Sequence, residues 1–198
     1  MDSGTLIGFI TFATVAGFTP GPNNVMLTAS GANFGFRRSI PHIAGITIGF
    51  CLLVLAAGFG LAGLFTAVPG LYNVMKAVSV TFLLYLAWKI ATAGRVESAK
   101  RGKPLTLWQA AAFQLVNPKA VAVVVSSVSA YTTDDAGLIG QVILLFIVFF
   151  TVTIGSTSTW CLFGTAIGKL FLREKSLRVF NIVMASLLVA SLFPILSL

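Results

Sequence analysis

The sequence predicts an all-α membrane protein in which six transmembrane helices form two inverted three-helix repeats, with helices one and four broken. Three observations predict it. Hydrophobic residues make up 57% of the 198 residues and charged residues only 9%, against about 25% charged in soluble domains. The apolar residues gather into six stretches, each at or above the roughly 18 residues that a membrane crossing needs. Short motifs of the first three stretches then recur, in order, in the last three. The mean hydropathy of +0.98 points the same way as the composition. A soluble enzyme, a disulfide scaffold, a disordered tail and a nucleic-acid binder all fit this composition poorly. The net charge of +8 reads as the cation bias of membrane loops rather than as a nucleic-acid surface.

The stretches fall at about 6–28, 43–64, 71–92, 108–130, 138–168 and 178–197. The first follows Met1-Asp2-Ser3-Gly4, which carries no side-chain cation, so it reads as a retained helix rather than a cleaved signal. The second contains Gly45 and Gly49, a small-xxx-small pair suited to helix packing. The fifth is long and reads as one tilted or bent helix, because two spans and a turn do not fit in it. Nothing is left over for a separate soluble domain. The chain is read as one transmembrane domain over 1–198, with repeat one at about 1–98 and repeat two at about 99–198.

The cations set the predicted direction. Arg37 and Arg38 lie between spans one and two. Arg95, Lys100, Arg101 and Lys103 lie between three and four, and Lys169, Arg173, Lys175 and Arg178 lie around the turn between five and six. These are ten of the thirteen Lys and Arg residues, all on alternate loops. Loop 65–70 holds none, and loop 131–137 carries Asp134 and Asp135. The positive-inside rule places the ten in the cytoplasm and both termini outside. Trp88, Trp108 and Trp160 fall toward inner span ends, as interfacial anchors do. Lys89 and Lys76 sit near span ends and can snorkel outward. Lys119 lies deep within its span and has no such exit.

The repeat rests on three matches. Thr19-Pro20 matches Asn117-Pro118 at an offset of 98, and Thr47-Ile48-Gly49 matches Thr153-Ile154-Gly155 at 106. Tyr72-Asn73-Val74 with Ala77 matches Phe180-Asn181-Ile182 with Ala185 at 108. Three spans per half is an odd number, so the halves must insert upside-down relative to each other. That is the inverted-repeat plan of secondary transporters.

The strongest local signal is Phe18-Thr19-Pro20-Gly21-Pro22-Asn23-Asn24 inside span one. Pro20 and Pro22 remove backbone donors and free the carbonyls of Ala16 and Phe18. Pro22 also starts a helix well. Span four repeats the device in Gln114-Leu115-Val116-Asn117-Pro118-Lys119, where Pro118 frees the carbonyl of Gln114 and pushes Asn117 out of helical geometry. Lipid cannot satisfy freed carbonyls, so protein, water or a substrate must. Breaks at corresponding places in two halves point to a transport site. The candidate substrate-binding residues are therefore Thr19, Pro20, Gly21, Pro22, Asn23, Asn24, Gln114, Asn117, Pro118 and Lys119.

Lys119 gives the site its sign. A charge near the bilayer centre costs at least about 2.5–3.5 kcal/mol and seeks a wet cavity or a partner. Asp2, Glu97, Asp134, Asp135 and Glu174 all lie at span ends or in loops, so no span offers it a carboxylate. A substrate carboxylate or backbone carbonyls are the remaining partners. The same absence disfavours a substrate with a cationic side chain, a carboxylate proton relay and a metal cargo, and no metal or cofactor is expected. His42, beside Pro41 at a span end, reads as an interfacial residue. Thr151, Thr153, Ser156, Thr157, Ser158 and Thr159 form a hydroxyl patch in span five, suited to packing or to cavity lining.

The run Thr19-Pro20-Gly21-Pro22-Asn23-Asn24, the following Gly35-Phe36-Arg37, the string Leu86-Ala87-Trp88-Lys89-Ile90-Ala91 and Asn117-Pro118-Lys119 together resemble the LysE/RhtB superfamily of bacterial amino-acid exporters. The resemblance covers essentially the whole chain in length, span count and motif order. It implies efflux of small neutral amino acids or derivatives from the cytoplasm across the bacterial inner membrane, driven by the proton-motive force with protons as the antiported partner. Asn23-Asn24 and the Leu-Ala-Trp-Lys string look most like the cysteine/O-acetylserine branch, with homoserine/threonine-type relatives close by. Lys119, the substrate amine and water are the candidates for carrying the proton, and a homo-oligomer is compatible with this plan. An alternative is a six-helix thiol-redox carrier using Cys51 and Cys161. Its thiols should adjoin the breaks, but both lie in spans two and five, and their offset of 110 misses the repeat. A membrane enzyme finds no Ser-His-Asp set and no paired buried carboxylates here.

Overall fold

A computed structural model describes residues 1–61, 69–92, 102–133, 137–170 and 174–192. Among these residues the chain is all helical, with α1 (Ser3–Phe18), α2 (Pro22–Phe34), α3 (Phe36–Ala56), α4 (Pro69–Ala91), α5 (Leu107–Val116), α6 (Pro118–Tyr131), α7 (Leu138–Leu170) and α8 (Glu174–Ala190). A π-helical turn, Ala57–Leu61, extends α3. Arg95, Lys100, Arg101, Arg173, Glu97, Asp134 and Asp135, which enter the predicted loop charges, lie outside the described residues.

Local chemistry sets the element ends. Asp2 caps α1 by accepting from the backbone N–H groups of Gly4 and Thr5. α1 stops at Phe18 because Pro20 and Pro22 cannot donate to it, and Pro22 then opens α2 at its first position. α2 passes directly into α3 through Gly35, whose φ of 80° suits glycine alone. Thr106 and Gln109 form a capping box that starts α5. Asn117 is extended, as the residue before a proline should be, and Pro118 opens α6. The two broken pairs bend by 51° at 19–21 and by 63° at 117. By length and composition, two unbroken helices, α3 with its extension and α7, are suited to cross a membrane, or up to four spans if each bent pair is one. The long fifth stretch is the single 33-residue helix α7.

Three apolar cores organise the bundle among the described residues. One joins Phe9 and Ala13 of α1, Leu53 and Val54 late in α3, Val121 and Val124 of α6, and Leu145 and Phe149 early in α7. A second joins Leu27 of α2, Ile43 and Ile46 early in α3, Ala110 of α5 and Cys161 late in α7. α3 and α7 therefore run antiparallel through the middle. The breaks divide the bundle into an α1–α6 end and an α2–α5 end. The third core lays α4 and α8 against α2 and α5 through Leu83, Leu86, Phe113 and Leu188.

The two ends are packed differently. At the α2–α5 end, backbones touch. A Cβ on Gly31 would collide with the carbonyl oxygen of Cys161, and one on Gly164 with that of Thr28. Gly168 meets Ala32, while Gly45 and Gly49 meet the backbone of α5 at Leu107 and Ala111. Helices in lipid associate through such close van der Waals approach, which small residues permit. At the α1–α6 end the contacts are between larger side chains, such as the ring pairs Phe9–Tyr131, Phe9–Phe149 and Phe50–Phe149.

Two readings of single residues change. His42 is not interfacial but 2% exposed, because α3 begins at Phe36 and carries it well inside the packed α2–α5 end. Neither of its ring nitrogens has a hydrogen-bond partner. Trp160 packs against the second core with Nε1 buried, so it is not an interfacial anchor, whereas Trp88 and Trp108 are exposed.

Candidate functional site

The two breaks meet. Lys119, in the first turn of α6, donates from Nζ to the carbonyl oxygen of Thr19 at 2.7 Å. Asn24, in the first turn of α2, folds back and donates from Nδ2 to the carbonyls of Gly17 and Thr19, both at 3.0 Å. The carbonyl of Gly17 also accepts the Ser156 hydroxyl of α7 at 2.7 Å. These two acceptors bracket the end of α1, Gly17 in its last turn and Thr19 as the extended residue that follows. The amide and ammonium donors thus replace water and backbone N–H groups that a bilayer does not supply.

Asn23 and Gln114 join the halves a second time. Asn23 Nδ2 donates to Gln114 Oε1 at 2.7 Å, and Gln114 Nε2 donates back to Asn23 Oδ1 at 3.2 Å and to the carbonyl of Ala110 at 2.9 Å. Gln114 Oε1 also accepts from Asn117 Nδ2 at 3.4 Å. Gly21 leaves room for the Lys119 stem, since a Cβ there would come within 2.9 Å of Lys119 Cδ.

Beside this junction lies a cavity of about 60 Å³, several times what one buried water needs. Of the ten predicted residues, Gly21, Pro22, Asn23, Asn24, Asn117 and Lys119 line it. Thr19 and Gln114 stand behind the lining as hydrogen-bond partners, and Pro20 and Pro118 shape the breaks. The rest of the wall comes from α1, α3, α6 and α7, with Ile46, Phe50, Phe149 and Val152 as its large apolar members. Among the described residues, Lys119 is the only charged member of the lining. Three hydroxyl residues absent from the predicted set also line it: Thr153, Ser156 and Thr157. Their clustering on α7 is visible in the sequence, but only the packing separates them from Thr151 and Thr159, which bond within their own exposed helix face. Cys51 and Cys161 are free, buried and outside the lining. Among the described residues no group of three or more His, Cys, Asp or Glu side chains is placed to hold a metal ion.

The two broken helices thus bring one cation, Lys119, and the amides of Asn23, Asn24, Gln114 and Asn117 into one polar junction. The sequence matches the LysE type translocator family over residues 14–193. The chain belongs to this family. It is also 30% identical to the cysteine/O-acetylserine efflux proteins of Escherichia coli (strain K12), Shigella sonnei (strain Ss046) and Shigella flexneri, in each case over 93% of both chains. No solved structure matches it. As a LysE-type translocator it carries its apolar helices in a membrane, and its relatives are efflux proteins rather than enzymes.

Proposed function

We propose that this chain exports small neutral amino acids or close derivatives, of the cysteine, O-acetylserine and homoserine/threonine class, from the bacterial cytoplasm across the inner membrane. The cavity at the paired breaks is the binding site. Lys119 takes the substrate carboxylate, exchanging part of its contact with Thr19 for it, and the asparagine-lined wall takes the rest of the backbone. The observation that carries the reading is that, among the described residues, Lys119 is the sole charge in the lining. Such a wall favours a carboxylate and offers no counter-charge to a lysine or arginine side chain. Its volume suits a molecule of a few heavy atoms, and the named relatives move such molecules.

In this reading the chain makes six spans as two inverted repeats, with both termini periplasmic and the proton-motive force driving export. The α2–α5 end is cytoplasmic, because Arg37, Arg38, Lys103 and Lys169 sit where α3 and α5 begin and α7 ends. The glycine-packed end then seals the cytoplasmic side, and the cavity lies on the periplasmic side of that seal.

Export from preloaded vesicles across a panel of amino acids tests this. Cysteine, O-acetylserine, homoserine or threonine should leave faster than from vesicles lacking the protein, and faster still with an inward proton gradient. Lys119→Ala should abolish export while the protein still inserts. Lys119→Arg should not rescue it, because the larger planar fork does not fit the space kept by Gly21. Export of lysine or arginine alone, or wild-type export by Lys119→Ala, would reject the site.

A further inference from the structure

Among the described residues, one fully buried side-chain acceptor of the cavity lining lacks a hydrogen-bond partner. The carbonyl of Ala110 can only accept, so the Gln114 atom 2.9 Å from it is the amide nitrogen. That fixes Gln114 Oε1 on the side facing Asn23 and Asn117, where it accepts from both. Gln114 therefore has both donors and both acceptor positions engaged. The Asn117 amide is turned in consequence, with Nδ2 toward Gln114 and Oδ1 away from it.

The other polar atoms of Asn117 each have a partner. Its backbone N–H donates to Phe113 at 2.8 Å, and its carbonyl accepts from Val121 at 3.0 Å. Asn117 is 2% exposed, lines the cavity, and its Oδ1 has no partner. Among the described residues, the other buried side-chain atoms without a partner belong to His42, Ser79 and Trp160, none of which lines the cavity. The carbonyls of Gly17 and Thr19 already accept two donors each, as many as a carbonyl has lone pairs. A buried acceptor without a donor is destabilising, and a charged N–H donor is the partner that gains most from it.

We propose that Asn117 Oδ1 reads the α-ammonium of the substrate, and so makes the translocator specific for free amines. The inference rests on the cavity being the amino-acid site. Lys119 and Asn117 flank Pro118 at the start of α6, one as a cation and the other as a neutral acceptor. Together they present complementary partners to the two ends of a zwitterion. Modification of the side chain, as in an O-acyl derivative, leaves both ends readable. Acylation of the nitrogen removes the charge and leaves Oδ1 facing a bulkier, weaker donor. The ammonium binds without proton transfer to Asn117.

The test compares cysteine with 3-mercaptopropionate, which lacks only the amino group, as inhibitors of radiolabelled cysteine counterflow in proteoliposomes of the full chain. N-acetylcysteine serves as a third inhibitor. The wild type should prefer cysteine over both by about tenfold or more, the factor a charge-assisted hydrogen bond supplies. Asn117→Leu, which keeps the volume, should weaken cysteine about tenfold and leave 3-mercaptopropionate nearly unchanged, so that the preference collapses. Asn117→Ala, which adds no bulk, should give the same collapse if the leucine variant fails to fold. A wild type that binds 3-mercaptopropionate as well as cysteine, or a folded variant that keeps the wild-type preference, would overturn the role of Asn117 while leaving the exporter reading intact. Absence of counterflow for every amino acid would instead overturn the exporter reading itself, and this inference with it.

Discussion

Gln114 shows how a residue that never touches the cavity can organise it. Its amide meets Asn23 of the other half and Asn117 of its own, and it anchors to Ala110 in the preceding turn. Removing either member of the reciprocal Asn23–Gln114 pair leaves the other buried with open positions, whereas removing both does not. Asn23→Ala and Gln114→Ala should therefore each lower thermal stability, and the double variant should lose less than the sum by about 1 kcal/mol. A thermal-melt double-mutant cycle measures this, and strict additivity would show that the pair does not couple the halves. The residues at the breaks were legible in the sequence because proline and glycine have local consequences. Which polar side chain meets which carbonyl was not. The prolines pointed to Ala16 and Phe18, but the side-chain donors go to Gly17 and Thr19, because α1 unwinds around Thr19 and turns those two oxygens toward α2, α6 and α7.

At the scale of elements, the matched strings of α3 and α7 share a pattern and part at one position. Thr47 and Thr153 are buried, and Ile48 and Ile154 are exposed. Gly49 packs on the α5 backbone at Ala111, but its counterpart Gly155 is exposed and meets nothing within 4 Å. The seam therefore forms at the α2–α5 end and has no equal at that place on the other. Gly31→Val and Gly164→Val should each destabilise the protein by about 1–3 kcal/mol or more, because a side chain there meets backbone that cannot rotate away. Gly155→Val should be close to neutral in the same melts. Equal losses at Gly31 and Gly155 would mean that the seam is not a feature of the folded protein. The spacing that marks Gly45 and Gly49 as a packing pair recurs at Gly164 and Gly168, whereas the lone Gly31, which meets the carbonyl of Cys161, carries no such signal.

For the molecule as a whole, the proposed direction in the membrane rests on which bundle end carries the cations. Arg37, Arg38, Lys103 and Lys169 attach to elements that meet at the α2–α5 end. Reporter fusions near residues 100 and 174 should read cytoplasmic and one near 134 periplasmic, as six spans with external termini require. A periplasmic reading near 100 would remove the topology and the inverted repeat together.

The membrane class, the helical content, the two breaks and the lone cation beside them were legible in the residues alone. Each of these depends on properties that act locally or sum over the chain: hydropathy over a span, a missing proline N–H, the placement of five acidic residues away from the spans. Packing in three dimensions sets which end the glycines draw together, that His42 is buried, that Ser156 joins the junction and that Asn117 Oδ1 has no partner. Those outcomes depend on which helix faces meet. In a chain that is apolar nearly all round, hydrophobic periodicity carries little information about facing, and the contacts are settled instead by where small residues let two backbones approach.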